Sequence, residues 1–112
     1  MEINRFRGDN KPFRFTLYSD KKNNIRLPLN GLIFRLTVNS EKDPETTDKQ
    51  IFTLNGINVD DAEGILEFRP TRDNMNIPKG VYYYDIQVTN ITGDYDDTIQ
   101  KDKFIIGQDI SK

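Results

Sequence analysis

The chain has no cysteine and no histidine among its 112 residues. That removes disulfides, thiolate nucleophiles, imidazole bases and the commonest zinc ligands together. A disulfide-free domain suits the cytosol and equally the outside of a particle or cell. Charge of one sign is not concentrated anywhere: 16 basic and 18 acidic residues leave a formal net charge of −2 and are interleaved along the chain. The nearest basic groups, Lys21-Lys22 and Lys101-Asp102-Lys103, are too short or interrupted to neutralise a run of phosphates, so no nucleic-acid partner is expected. Long apolar runs are missing as well. The longest, Val81 to Tyr84, is far short of a bilayer span, and residues 1–7 lack the apolar segment of a signal peptide, so a product soluble in the cell that makes it is expected, with no membrane partner. No internal repeat, heptad, low-complexity tract or long helix is visible.

What is present is strand-like alternation. Residues 80–90, Gly-Val-Tyr-Tyr-Tyr-Asp-Ile-Gln-Val-Thr-Asn, read as one long strand entered through Ile77-Pro78-Lys79-Gly80. Tyr82, Tyr84, Ile86 and Val88 lie on one face, and Tyr83, Asp85, Gln87 and Thr89 on the other. Pro12 to Tyr18 alternates in the same way, with Phe13, Phe15 and Leu17 facing inward. Asp20 to Asn24 is a turn, and Ile25 to Asn30 leads into a second core strand, Leu32 to Val38, whose even-numbered members are all apolar. Residues 39–49 hold no large apolar side chain and are expected as an exposed loop. Ile51 to Leu54 is a short strand, Asn55-Gly56 and Asp60 to Gly64 are turn signals, and Leu66 and Phe68 point inward from the strand between them and Arg69. Residues 71–77 suit a single helical turn with Thr71 as N-cap, stopped by Pro78, with Met75 and Ile77 plugging one end of the core. The last strand, Thr98 to Gly107, changes parity between Ile99 and Phe104, which a β-bulge near Lys101 to Lys103 would reconcile. The expected fold class is therefore all-β: a single domain over residues 1–112, an immunoglobulin-like antiparallel β-sandwich of about seven strands with one short helical turn near 71–77. An open barrel is the structural runner-up, since the same spacing serves small barrels.

Several short patterns invite a functional reading, and each has a plainer one. Arg7-Gly8-Asp9 matches an adhesion tripeptide, yet Gly8-Asp9-Asn10 between two strands is a turn. Asn90-Ile91-Thr92 fits a glycosylation sequon and reads as the turn leading to Gly93. The acidic groups Asp60-Asp61-Ala62-Glu63 and Asp94-Tyr95-Asp96-Asp97 lack the ligand spacing and glycine of a calcium loop, so no metal site is assigned. The carboxylates fall overwhelmingly in predicted turns, where no acid and base converge in a pocket; no catalytic or cofactor-binding residue is assigned, no cofactor and no small-molecule substrate. Alternation reduces the Tyr82-Tyr83-Tyr84 run to one outward ring, Tyr83, with Tyr18 as a second outward aromatic.

Taken in order, Arg7-Gly8-Asp9 with Pro12 to Leu17, Leu29-Asn30-Gly31 with Leu32 to Val38, Ile77-Pro78-Lys79-Gly80 with Tyr82 to Val88, and Phe104-Ile105-Ile106-Gly107-Gln108-Asp109-Ile110 resemble a tailed-phage structural domain. The resemblance is to the immunoglobulin-like domain at the N-terminus of phage upper baseplate proteins and in small virion proteins of similar length. It is carried above all by the Tyr-Tyr-Tyr-Asp-Ile-Gln strand and the Gln-Asp-Ile ending. It implies a non-enzymatic role in the virion, with location in the virion and in the host cytoplasm before assembly, and partners that are other virion proteins and copies of itself. Because the chain ends after the last strand without a receptor-binding tip, a small accessory, decoration or adaptor protein of capsid, neck, tail or baseplate is expected. The rival expectation is a carbohydrate-binding or host-adhesion module on the phage surface. The interface residues expected on this reading are Tyr18 and Tyr83, with Ile3 and Phe6 of an extended N-terminal arm over residues 1–6 that lies outside any obvious core.

Overall fold

The computed structural model describes residues 2–42, 49–90, 92–93 and 96–109, the side chains of 108 and 109 excepted. Among them are nine strands and one helical turn: β1 (Ile3–Arg7), β2 (Phe13–Thr16), β3 (Tyr18–Asp20), β4 (Ile25–Arg26), β5 (Leu32–Asn39), β6 (Gln50–Asp60), β7 (Ile65–Phe68), α1 (Arg72–Met75), β8 (Gly80–Asn90) and β9 (Asp96–Asp109). Seven strands make one continuous sheet in the order β1-β9-β8-β5-β6-β7-β2, and β3 and β4 form a separate ribbon. The sheet curls until its β2 end lies over β8 and β9, where the Phe13 ring meets Phe104 edge-on at 5.7 Å and Phe15 lies 6.3 Å from Tyr84. Such offset and edge contacts are the favoured geometry for aromatic quadrupoles.

Alternation places the core as the sequence suggests. Phe13 and Phe15 of β2, Phe34, Leu36 and Val38 of β5, Leu66 and Phe68 of β7, and Tyr84, Ile86 and Val88 of β8 are buried. Each such side chain contributes on the order of 1.5–3 kcal/mol by leaving water. The helical turn expected at 71–77 is α1: Thr71 Oγ1 accepts from the Asn74 amide at 3.1 Å, and the Asn74 side chain returns a bond to the Thr71 amide at 2.8 Å. Met75 is fully buried at its end and Ile77 packs against the core. Gly64 supplies the turn between β6 and β7 at φ +70°, where an added Cβ would stand 2.6 Å from the Leu17 carbonyl oxygen; only glycine tolerates both constraints.

Six local expectations are corrected. The sheet is mixed, not purely antiparallel, because β1 runs parallel to β9, with Ile3 beside Phe104 and Phe6 beside Gly107. The residues read as a free arm are thus largely an edge strand, and Ile3, only 4% exposed, belongs to the core; an apolar side chain next to Phe104 gains more by burial than by projecting into water. The single strand expected over Pro12 to Tyr18 is split at Leu17: its amide donates to the Gly64 carbonyl at 2.8 Å, the last step of the β2–β7 ladder, but its carbonyl accepts from the Leu27 amide at 3.0 Å, so the chain passes from β7 to the β3-β4 ribbon. Asn55-Gly56 is not a turn but the middle of β6. There Gly56 lets the strand pass close to the core: a Cβ would lie 2.8 Å from Leu66 Cδ1 and 3.0 Å from Phe34 Cβ. Finally, the bulge sits at Ile99, since Ile86 pairs with Gln100 but Gln87 with Thr98, while Lys101 to Lys103 are in regular register. The inward parity of Gln100 is satisfied because its side-chain amide donates to the Tyr84 hydroxyl at 3.0 Å. Residue 39, expected in a loop, ends β5 and is buried; 43–48 lie outside the described residues.

Candidate interaction surface

Outward side chains on the large sheet follow from the register. Asn4 of β1, Ile105 of β9 and Val81 of β8 stand in one row; Phe6 and Gly107 stand beside it, and Lys103, Tyr83 and Asn39 form the neighbouring row. With strands about 4.8 Å apart, Phe6, Ile105, Val81 and Tyr83 make one strip across three strands. Phe6 and Val81 are 56% and 51% exposed, more than any other large apolar side chains among the described residues except Ile25, with Ile105 and Tyr83 half-buried between charged neighbours. A cleft of about 430 Å³ opens at the Phe6 end, where Arg5, Asp9 and Lys11 rim the apolar floor. Arg5 also donates to the Pro12 carbonyl at 3.2 Å and lies 4.9 Å over the Phe13 ring, so it closes the seam between β1 and β2.

At the other end of the strip a cleft of about 330 Å³ is lined by Lys42, Lys101 and Lys103 with Tyr83, Tyr84 and Asp102. Three ammonium groups gather there around the Asp102 carboxylate, and Lys101 also faces Asp85 across the β8-β9 pair. Tyr84 is held in the core by Gln100, and burial raises its pKa above 10.0, the ordinary value. Tyr82 behaves likewise at the sheet entrance: its hydroxyl donates to the Pro78 carbonyl at 2.7 Å, and desolvation raises its pKa. Neither ring is part of an aromatic platform.

The four residues expected at an interface therefore separate. Ile3 is in the core, Phe6 and Tyr83 share the outward strip, and Tyr18 is on the β3-β4 ribbon, half-buried with the Arg26 guanidinium 5.2 Å over its ring. Val81 and Ile105 were missed, although the odd parity of β8 that exposes Tyr83 also exposes Val81. The Arg7-Gly8-Asp9 segment forms a turn, with Gly8 at φ +82° and the Asp9 amide donating to the Phe6 carbonyl at 3.1 Å. No group of three or more metal-ligating side chains occurs among the described residues, and none of their helices is long and apolar enough to cross a membrane. The sequon falls on Ile91, and the second acidic group on Asp94 and Tyr95, all outside the described residues.

No protein-family model matches the chain, and no curated protein sequence matches it. Its fold is similar to the crystal structure of CopC from Methylosinus trichosporium OB3b, with a TM-score of 0.50 and 11% identity over 99% of this chain and 87% of that one. At that identity the likeness concerns the fold alone. The chain is a mostly β protein with one short helical turn, a curled seven-stranded mixed sheet of the CopC β-sandwich kind.

Proposed function

We propose that this chain is a non-enzymatic structural component of a tailed-phage virion, a small accessory, decoration or adaptor protein that works by protein contacts. The observation that carries the reading is the outward strip Phe6, Ile105, Val81 and Tyr83, which sets contiguous apolar area beside lysines across three neighbouring strands. Interfaces combine a small apolar and aromatic centre with a charged rim in this way. The order of strands supports an immunoglobulin-like sandwich, with β2, β7 and the end of β6 in one layer and the start of β6, β5, β8 and β9 in the other. The phage assignment itself rests on the sequence resemblance in β8 and the last strand.

Mass spectrometry and cryo-electron microscopy of particles from a host that expresses the chain test this reading. The expected result is density for the chain at a copy number set by the particle's symmetry, with the Phe6 to Tyr83 face covered. A chain abundant in infected cells yet missing from purified particles would overturn it. Glycan-array binding abolished by Tyr83→Ala would favour the carbohydrate-binding reading.

A further inference from the structure

We propose that the open edge of β6 over residues 51–55 is a self-association surface, at which a second copy of the chain adds its own β6 antiparallel about a two-fold axis at Thr53. This deepens the structural reading above and rests on it in holding that the chain acts through protein contacts.

The edge is created by the path of the chain. Residues 50–55 of β6 pair with β5 on one side, while β7 pairs only with 56–60 on the other. The β7 ladder stops at Phe68, because two residues on stands Pro70, which has no amide to donate. Among the described residues no other strand takes up the vacated edge of 51–55.

The other edges of the sheet are guarded and this one is not. Strand β1 carries Arg5 and Arg7 and has a register shift between Phe6 and Arg7. Strand β2 is four residues long, carries Arg14 and is preceded by Pro12. Charges, bulges, prolines and short length are the usual devices that keep edges from pairing. From Gln50 to Val59 there is no charged residue and no proline.

The segment is also complementary to itself, which selects a second copy as the occupant. With the axis at Thr53, Thr53 faces its own counterpart, Phe52 faces Leu54 and Ile51 faces Asn55, with no like charges opposed. Phe52 and Leu54 point inward and are only half-buried, so each would gain cover from the other copy, while Ile51 and Thr53 are exposed on the outward face. Threonine pairs and mixed aromatic and aliphatic pairs are favourable across antiparallel strands. A two-fold contact of this kind closes at two chains and does not propagate.

Sedimentation of the purified chain over a concentration series is the first measurement, with a species at twice the 13.1 kDa chain mass expected. Thr53 is exposed, so Thr53→Lys and Thr53→Glu leave the monomer folded, checked by circular dichroism. Each variant alone is expected to sediment as a monomer where the wild type is dimeric, and an equimolar mixture to recover the dimer. The chain has no cysteine, so Thr53→Cys provides a second readout: mild oxidation should link two copies, whereas Lys21→Cys on the β3-β4 turn should not. A wild type that stays monomeric, a Thr53→Lys variant as dimeric as the wild type, or a mixture that fails to recover overturns the proposal. Particle occupancy is scored separately. A chain monomeric alone but present in particles sinks this inference and leaves the virion reading, and a dimer absent from particles does the reverse.

Discussion

The two halves of β6 obey the same alternation but live in different surroundings. Residues 50–55 lie beside β5, inward Phe52 and Leu54 half-covered and one backbone edge without a strand beside it among the described residues; residues 56–60 lie beside β7, and their β5 side is closed by Asn58, whose amide donates to the Leu29 and Leu32 carbonyls at 3.3 and 3.2 Å. Their outward rows differ too. The first half continues through Thr53, Thr37 and Asp85 to Lys101, the second through Ile57 and Glu67 to Arg14. A strand that changes layers must give up one partner before it meets the next. Asn58 fills one of the resulting gaps, and among the described residues no strand fills the other.

The crossing point is the most fragile position. Gly56→Ala would set a methyl group against Leu66, Phe34 and Phe68 at distances of 2.8 to 3.2 Å. Overpacking of this kind costs about 1–3 kcal/mol, read as a lower urea midpoint with unchanged slope. A Gly56→Ala variant as stable as the wild type would mean that the halves are not pinned there. Asn58→Ala comes next. It removes the side-chain donor from the Leu32 carbonyl and from the Leu29 carbonyl, which keeps the Leu32 amide at 3.0 Å, at a cost of about 0.5–1.5 kcal/mol. Faster amide exchange confined to the 27–32 segment and 56–60 would sharpen the contrast, whereas exchange rising equally over 50–55 would break it.

These positions also show why the sequence was legible only in part. The core strands β2, β5, β7 and β8 announce themselves because period-2 burial requires alternate apolar side chains. The same logic exposed Tyr83 as outward. Gly56 misled because Asn-Gly favours a turn locally, while the close approach that demands glycine there depends on Leu66, Phe34 and Phe68, all distant in sequence. Ile3 misled for the reverse reason: five residues of edge strand carry no pattern of their own until Phe104 lies alongside. The open edge of β6 follows from where β7 ends, so the composition of 50–59 hints at it only once Pro70 is placed.

The smallest effect is expected from the two outward carboxylates, whose pKa values move in opposite directions. Glu67 accepts from Arg69 Nε at 2.6 Å and from Arg14 at 2.9 Å, and these bonds hold its pKa below the ordinary 4.5. Asp85 has its Oδ1 buried without a hydrogen-bond partner among the described residues, and desolvation raises its pKa above 3.8 despite Lys101 and Arg35 nearby. A lowered carboxylate adds stability that is complete above its unfolded value and disappears as pH falls through the folded one. A raised carboxylate works the other way: its penalty is complete above the folded value and disappears below the unfolded one. Glu67→Gln should therefore lower Tm at pH 7, and Asp85→Asn should raise it, each by a few degrees at most, because the guanidinium groups on Glu67 are largely exposed and Asp85 is only half-buried. Both differences should shrink as the pH falls, from opposite sides: that at Asp85 disappears below its unfolded value, and that at Glu67 only below its lowered folded one. If the two substitutions shift Tm in the same direction at pH 7, the guanidinium pair is not what distinguishes the second row from the first.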